Sequence, residues 1–169
     1  MSSLSRRELS PLSRRTFLKS TALLAGATAF SARSWAQVVG ANSEIRVAVV
    51  GINGRGRSHL SSLAKVPGVR VVALCDADTA VLAKVKPTVN GGNVRTYVDL
   101  RELLAQKDID AITIATPNHL HSLQAVWACQ AGKDVYCEKP LSHNVWEGRQ
   151  AVEAAKKYSK NIVQAGTQN

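Results

Sequence analysis

The chain has 169 residues, of which 45% are hydrophobic and 20% are charged, and this composition indicates a globular protein rather than a disordered one. The formal net charge of +10 divides evenly, because six basic residues and Glu8 give +5 in residues 1–36, and 16 basic and 11 acidic residues give +5 in residues 37–169. Lys156–Lys157 is the one adjacent basic pair of the second part, so the sequence lacks the basic run with interleaved aromatics that nucleic-acid binding needs.

The N-terminal segment has the order of parts of an export signal. Ser13–Lys19, SRRTFLK, resembles a twin-arginine motif, and the 12 apolar residues of Thr21–Ala32 that follow are fewer than the roughly 20 of a membrane span. Small residues then lead to Ala36, where we expect cleavage. The sequence thus predicts a signal peptide over residues 1–36, a linker over 37–43, and export by the twin-arginine translocation machinery to the periplasm or another extracytoplasmic compartment. Retention as an uncleaved anchor is the alternative.

From Glu44 onward, apolar β-branched runs alternate with helical patterns. The predicted strands cover residues 45–50, 69–75, 94–97, 111–115, 134–137 and 161–165, and the predicted helices cover 56–65, 77–86, 100–106, 118–131 and 145–158. This alternation predicts an α/β fold with a doubly wound, parallel, six-stranded sheet of the Rossmann type over residues 44–169. Such a sheet is a dinucleotide-binding domain.

A glycine-rich turn follows the first strand and supplies Gly51, Gly54 and Gly56. A strand, a glycine turn and a helix N-terminus together make an anion site, because main-chain N–H groups and the helix dipole point at it. The turn departs from G-x-G-x-x-G, since Asn53 occupies the second glycine position. Arg55 either contacts a phosphate or is a solvated residue of the helix start.

Asp76 ends the second strand, 20 residues beyond Gly56. A carboxylate there accepts hydrogen bonds from the adenosine ribose and repels a 2′-phosphate, so we expect NAD to be preferred over NADP. Helix capping is the other interpretation of an acid at this junction, and Asp78 is the better candidate for that cap. Asp99 is predicted to cap the third helix.

Two further polar stretches follow the fourth and fifth strands. Thr116–His121 includes Asn118, a candidate N-cap, and His121, which either faces the cleft or has a structural role. Glu138–Pro140 places Lys139 where a cation can hold nicotinamide and substrate and stabilise alkoxide charge, although an ordinary exposed lysine has the same sequence signature. The cysteines Cys75, Cys129 and Cys137 form no CxxC pair, and we predict no metal site.

Five segments in this order resemble the Gfo/Idh/MocA family: IRVAVVGINGRGRSHL, VVALCDAD, DLRELL, IDAITIATPNHLH and CEKPLS. The resemblance implies an NAD(P)-dependent oxidoreductase that moves a hydride between nicotinamide and a sugar or polyol. It also implies that Lys139 is catalytic and that the Lys139–Pro140 peptide bond is cis. The residues that it places at the NAD(P) site are Gly51, Asn53, Gly56, Asp76, Thr116, Asn118, Glu138 and Lys139, with His121 close by.

Family members have a second, C-terminal α/β domain that supplies most substrate contacts, and this sequence contains no counterpart of it. We therefore expect a nucleotide-binding domain whose turnover needs that further domain. Two alternatives stay open: an NAD-using glycoside hydrolase of the same family, and a truncated nucleotide-binding protein without turnover. The sequence does not predict the oligomeric state.

Overall fold

The computed structural model describes residues 44–167. The predicted signal peptide and linker therefore lie outside the described residues. The strands are β1 (Ile45–Val50), β2 (Val69–Cys75), β3 (Arg95–Tyr97), β4 (Ala111–Ile114), β5 (Asp134–Glu138) and β6 (Val163–Gly166). The α-helices are α1 (Arg55–Leu63), α2 (Thr79–Val85), α3 (Leu100–Leu104), α4 (Asn118–Gln130) and α5 (Val145–Lys157), and two short 3₁₀ turns cover Lys86–Thr88 and Asn90–Gly92.

All six strands pair in parallel, in the order β3-β2-β1-β4-β5-β6. This is the strand order of a doubly wound dinucleotide-binding sheet, so the predicted fold class is confirmed. The winding reverses between β1 and β4, and ligands bind outside the carboxyl ends of the strands at that switch point.

The sheet is buried on both faces, which is why β1 consists of apolar residues without alternation. Ala48 and Val50 pack into one core with residues of α3 and α4 such as Leu103 and Ala125. Val49 packs into the other core, which includes Leu82 of α2 together with residues of β2. Successive side chains of one strand therefore supply two different cores.

The helix starts follow local capping chemistry. Asp78 accepts hydrogen bonds from the main-chain N–H groups of Ala80 and Val81, and Asp99 accepts one from Arg101, so both predicted caps are confirmed. The prediction that Asn118 caps α4 is wrong. Asn118 is the first helical residue, and Pro117, which precedes it, forms no side-chain cap hydrogen bond.

An ion pair joins β1 to the start of β4 at the amino edge of the sheet. The Nε and Nη2 atoms of Arg46 donate to Asp110 at 2.9 and 2.7 Å, and the Arg46 main-chain N–H donates at 2.8 Å. Hydrogen bonds from the Arg46 guanidinium lower the pKa of the Asp110 carboxyl.

We expect Asp110→Asn to lower the free energy of unfolding at pH 7. Because the folded-state pKa of Asp110 is depressed, its contribution is complete above the unfolded pKa of about 3.9 and is lost as the pH falls through the folded value. Urea unfolding of the wild type and of Asp110→Asn should therefore show a difference in the free energy of unfolding at pH 7, and this difference should shrink below about pH 4. A difference of the same size at both pH values would contradict this role for the Asp110 charge.

No helix within residues 44–167 has the length and apolar character needed to cross a membrane.

Candidate functional site

The turn between β1 and α1 needs glycine at two positions. Gly51 has φ +79°, and a Cβ there would lie 2.7 Å from the main-chain nitrogen of Thr116. A Cβ on Gly56 would lie 1.9 Å from the carbonyl oxygen of Gly51. Gly54 differs, since a Cβ there would meet nothing within 4 Å. The turn backbone at Gly51 thus approaches the loop after β4 and the start of α1 more closely than a Cβ at either glycine would allow.

Asp76 is fixed at the carboxyl end of β2. Its Oδ2 accepts the N–H of Ile52 at 2.8 Å, and its Oδ1 accepts the N–H of Asp78 at 3.0 Å. The carboxylate therefore ties the glycine turn to the start of α2. A carboxylate has about four acceptor positions, so two donors leave capacity for ribose hydroxyl groups.

A cleft of about 1010 Å³ lies at this carboxyl edge. Five of the residues predicted for the site line it: Gly51, Asn53, Gly54, Asp76 and Thr116. The structure therefore brings together the glycine turn, the acid after β2 and the polar loop after β4. Their common position at the ends of β1, β2 and β4 is that of a dinucleotide site in such a sheet.

The sequence prediction missed two groups of cleft residues. Val98, Asp99, Leu100 and Arg101 line the cleft from the segment after β3. Leu120, Gln124 and Trp127 line it from α4, and Gln124 contacts the Thr116 hydroxyl at 2.7 Å. The three- and four-residue spacing of the α4 set was a readable signal, because it puts the side chains on one helix face.

The other six predicted residues, Arg55, Gly56, Asn118, His121, Glu138 and Lys139, lie outside the cleft lining. Glu138 is buried, and its Oε1 accepts hydrogen bonds from Arg55 Nε at 2.9 Å and His59 Nε2 at 2.8 Å. Lys139 is exposed, and the Lys139–Pro140 bond is cis, as the resemblance implied. The cofactor contacts of these six residues stay predictions.

His121 is 2% exposed, and its ring nitrogens contact main-chain oxygens instead of the cleft. Nδ1 lies 2.7 Å from the Pro140 oxygen, and Nε2 lies 2.7 Å from the Thr116 oxygen. The ring therefore joins the loop after β4 to the loop after β5. Of the two sequence interpretations, this geometry fits the structural one.

The three cysteines are buried, and their thiols are in environments that favour the unreactive, protonated form. Burial raises the pKa of the Cys75 thiol to about 12, and the nearby Asp76 carboxylate adds to this shift. Burial raises the pKa of Cys137 to about 12 as well. Neither thiol carries the thiolate that nucleophilic or metal chemistry needs. Within residues 44–167, no group of three or more histidine, cysteine, aspartate or glutamate side chains could hold a metal ion.

Comparison with known proteins finds both curated relatives and solved structures that are similar to this chain. The chain is 30% identical to Glycosyl hydrolase family 109 protein 2 of Shewanella sp. (strain ANA-3), over 92% of this chain and 39% of the relative. Among solved structures, myo-inositol 2-dehydrogenase from Lactobacillus plantarum is 31% identical in sequence to this chain, with a TM-score of 0.68. The match covers 73% of this chain and 36% of the dehydrogenase chain. The WlbA dehydrogenase from Bordetella pertussis, in complex with NADH and UDP-GlcNAcA, is 28% identical, with a TM-score of 0.67, over 73% of this chain and 35% of that one.

The chain thus spans between a third and two fifths of the length of these relatives. A family model described as an oxidoreductase family with an NAD-binding Rossmann fold matches residues 45–167, which include the strands, the glycine turn and the cleft. The chain belongs to the Gfo/Idh/MocA family of oxidoreductases, and residues 45–167 are its NAD-binding Rossmann domain.

Proposed function

We propose that the cleft at the carboxyl edge holds NAD(H) across the switch point, for hydride exchange with a sugar or polyol. The observation that carries the cofactor assignment is Asp76, a fixed carboxylate in the cleft beside the glycine turn. Helix α1 begins at Arg55, next to the cleft residue Gly54, so the positive end of its dipole suits a pyrophosphate. The adenosine half then lies over β2 and β3, and the nicotinamide half lies over β4 and β5.

The preference for NAD over NADP follows from the charge of Asp76. A 2′-phosphate would stand against this carboxylate, so we expect NAD to bind at least about tenfold more tightly than NADP, which corresponds to about 1.4 kcal/mol. Asp76→Asn removes the charge and replaces one of the two acceptor oxygens by an amide NH₂ group, and it should narrow the ratio of the NAD and NADP affinities. Titration of both nucleotides by calorimetry measures it.

Asp78→Asn is the matched control, because asparagine caps a helix as well as aspartate does. This variant should keep the wild-type ratio. If both variants narrow the ratio of NAD and NADP affinities equally, the preference for NAD comes from the overall negative charge at the carboxyl edge of the sheet. Tighter binding of NADP than of NAD by the wild type would refute the role of Asp76.

The substrate class is supported by the relatives, one of which is an inositol dehydrogenase and another of which holds a UDP-sugar beside NADH. Lys139 follows the end of β5, on the nicotinamide side of the switch point. Its ammonium group can hold a substrate hydroxyl and stabilise the alkoxide charge that develops as hydride leaves carbon. We infer that Lys139 is the catalytic residue of the reaction.

An NAD-using glycoside hydrolase is the second candidate function. It is favoured by the match to the family 109 glycosyl hydrolase, which covers 92% of this chain. A hydrolase of this kind returns the borrowed hydride, so it releases sugar without net NADH. Assay of a panel of aryl glycosides and polyols separates the two, because the dehydrogenase accumulates NADH in proportion to product. Nucleotide binding without either product would favour a binding protein without turnover.

We also propose export by the twin-arginine route, on the SRRTFLK motif and the apolar segment that follows it. Fusion of residues 1–43 to a reporter that is active only after export tests this. Replacement of both Arg14 and Arg15 by lysine should abolish the reporter activity. Reporter activity that survives the double replacement would reject the twin-arginine route.

A further inference from the structure

His121 and Ser122 form a pair of buried polar side chains at the start of α4, here called the clasp. His121 is 2% exposed and Ser122 is 3% exposed. The two nitrogens of His121 lie 2.7 Å from the carbonyl oxygens of Thr116 and Pro140, and the Ser122 hydroxyl donates to the carbonyl of Leu141 at 3.0 Å. The polar side-chain atoms of the clasp therefore contact main-chain carbonyl oxygens.

Two of these carbonyls belong to the residues directly after Lys139. The residue directly before it, Glu138, is held by Arg55 and His59 of α1. The main chain around Lys139 is thus fixed on both sides, whereas its side chain is exposed. Loops at the carboxyl edge are ordinarily the mobile parts of such a sheet. This one is bonded to two helices.

We propose that His121 and Ser122 are positioning residues, which hold the Lys139 loop at the nicotinamide half of the cofactor site. This inference rests on the proposed function of the cleft. His121 joins the loops after β4 and β5, the two strands over which the nicotinamide half lies. A reacting group needs its supporting shell to hold it within about 0.5 Å, which a free loop does not achieve. The clasp supplies that support without touching the cofactor.

A histidine that merely fills the core would affect both halves of the cofactor site alike, so the test compares two ligands. NADH occupies both halves, and ADP-ribose lacks the nicotinamide. On the 169-residue chain, His121→Leu should weaken NADH binding about tenfold, because loss of both ring contacts releases the main chain of the loops after β4 and β5, which Lys139→Ala leaves in place. The same variant should change ADP-ribose binding by less than about twofold. Ser122→Ala should weaken NADH about threefold with the same selectivity.

His119→Leu is the matched control, because it makes the same replacement at an exposed histidine two positions earlier. It should leave both affinities unchanged. Hydrogen exchange without nucleotide supplies a second readout, in which the amides of Leu141 and Ser142 should exchange faster in His121→Leu but not in His119→Leu.

Equal weakening of NADH and ADP-ribose, or an unchanged affinity for NADH, would overturn the positioning role. If His121→Leu loses its folded circular dichroism spectrum, the ligand selectivity of Ser122→Ala decides the question. If the wild-type chain binds neither ligand, the proposed nucleotide site is what fails. The exchange measurement needs no nucleotide and still decides whether the clasp holds the loop.

Discussion

Gly56→Ala is expected to lower the free energy of unfolding by about 3 kcal/mol or more, and to abolish nucleotide binding. The added methyl group would lie 1.9 Å from the carbonyl oxygen of Gly51, and both partners are backbone atoms of packed elements. Alanine in a helix is worth only about 1 kcal/mol over glycine, so the clash outweighs the gain in helix propensity. Urea unfolding followed by circular dichroism measures the loss.

Gly54→Ala is the matched control in the same turn. A methyl group at this position meets no atom within 4 Å, so we expect the free energy of unfolding to change by no more than about 0.5 kcal/mol. If the two variants unfold at the same urea concentration, the close approach of α1 to β1 is not what requires glycine at position 56.

Lys139→Ala is expected to slow hydride transfer about 10³-fold, which is the scale of removing one group that stabilises oxyanion charge. Affinity for NAD should change by less than about twofold, because Lys139 lies outside the cleft lining and its side chain is exposed. In a preparation that oxidises an inositol or a sugar, stopped-flow measurement of NADH formation at several NAD concentrations separates the rate of hydride transfer from the affinity for NAD.

Lys107→Ala serves as the control, since Lys107 is an exposed lysine that precedes β4 and so lies toward the opposite edge of the sheet. Its replacement should leave both the rate and the affinity unchanged. A rate for Lys139→Ala within tenfold of the wild type would remove Lys139 from the chemistry and would leave it as a solvent-exposed residue of the loop.

The pairing of Arg55 with Glu138 shows where prediction from sequence reached its limit. Arg55 was assigned to the cofactor site from its position at a helix start after a glycine turn, and Glu138 was assigned to it by the family resemblance. The two are 83 residues apart, and their 2.9 Å hydrogen bond depends on how α1 packs beside β5. Local patterns carry no information about that distance.

The cleft residues Arg101 and Trp127 make the same point. Both belong to helical patterns that the sequence predicted, on α3 and α4, but their place in the site depends on the order of the strands. They line the same cleft as the glycine turn only because β2 and β4 both flank β1. Strand order is a tertiary property.

The sequence by itself determined the alternation of strands and helices, the glycine turn at Gly51–Gly56 and the acid at Asp76. These features are local, since hydrophobic period, turn chemistry and the spacing from strand end to acid are all set within about 30 residues. Only the tertiary structure decided that Glu138 is an internal ion-pair partner and that His121 contacts two carbonyls. Such contacts join the ends of different strands, and their geometry is fixed when the sheet and the helices on its two faces pack together.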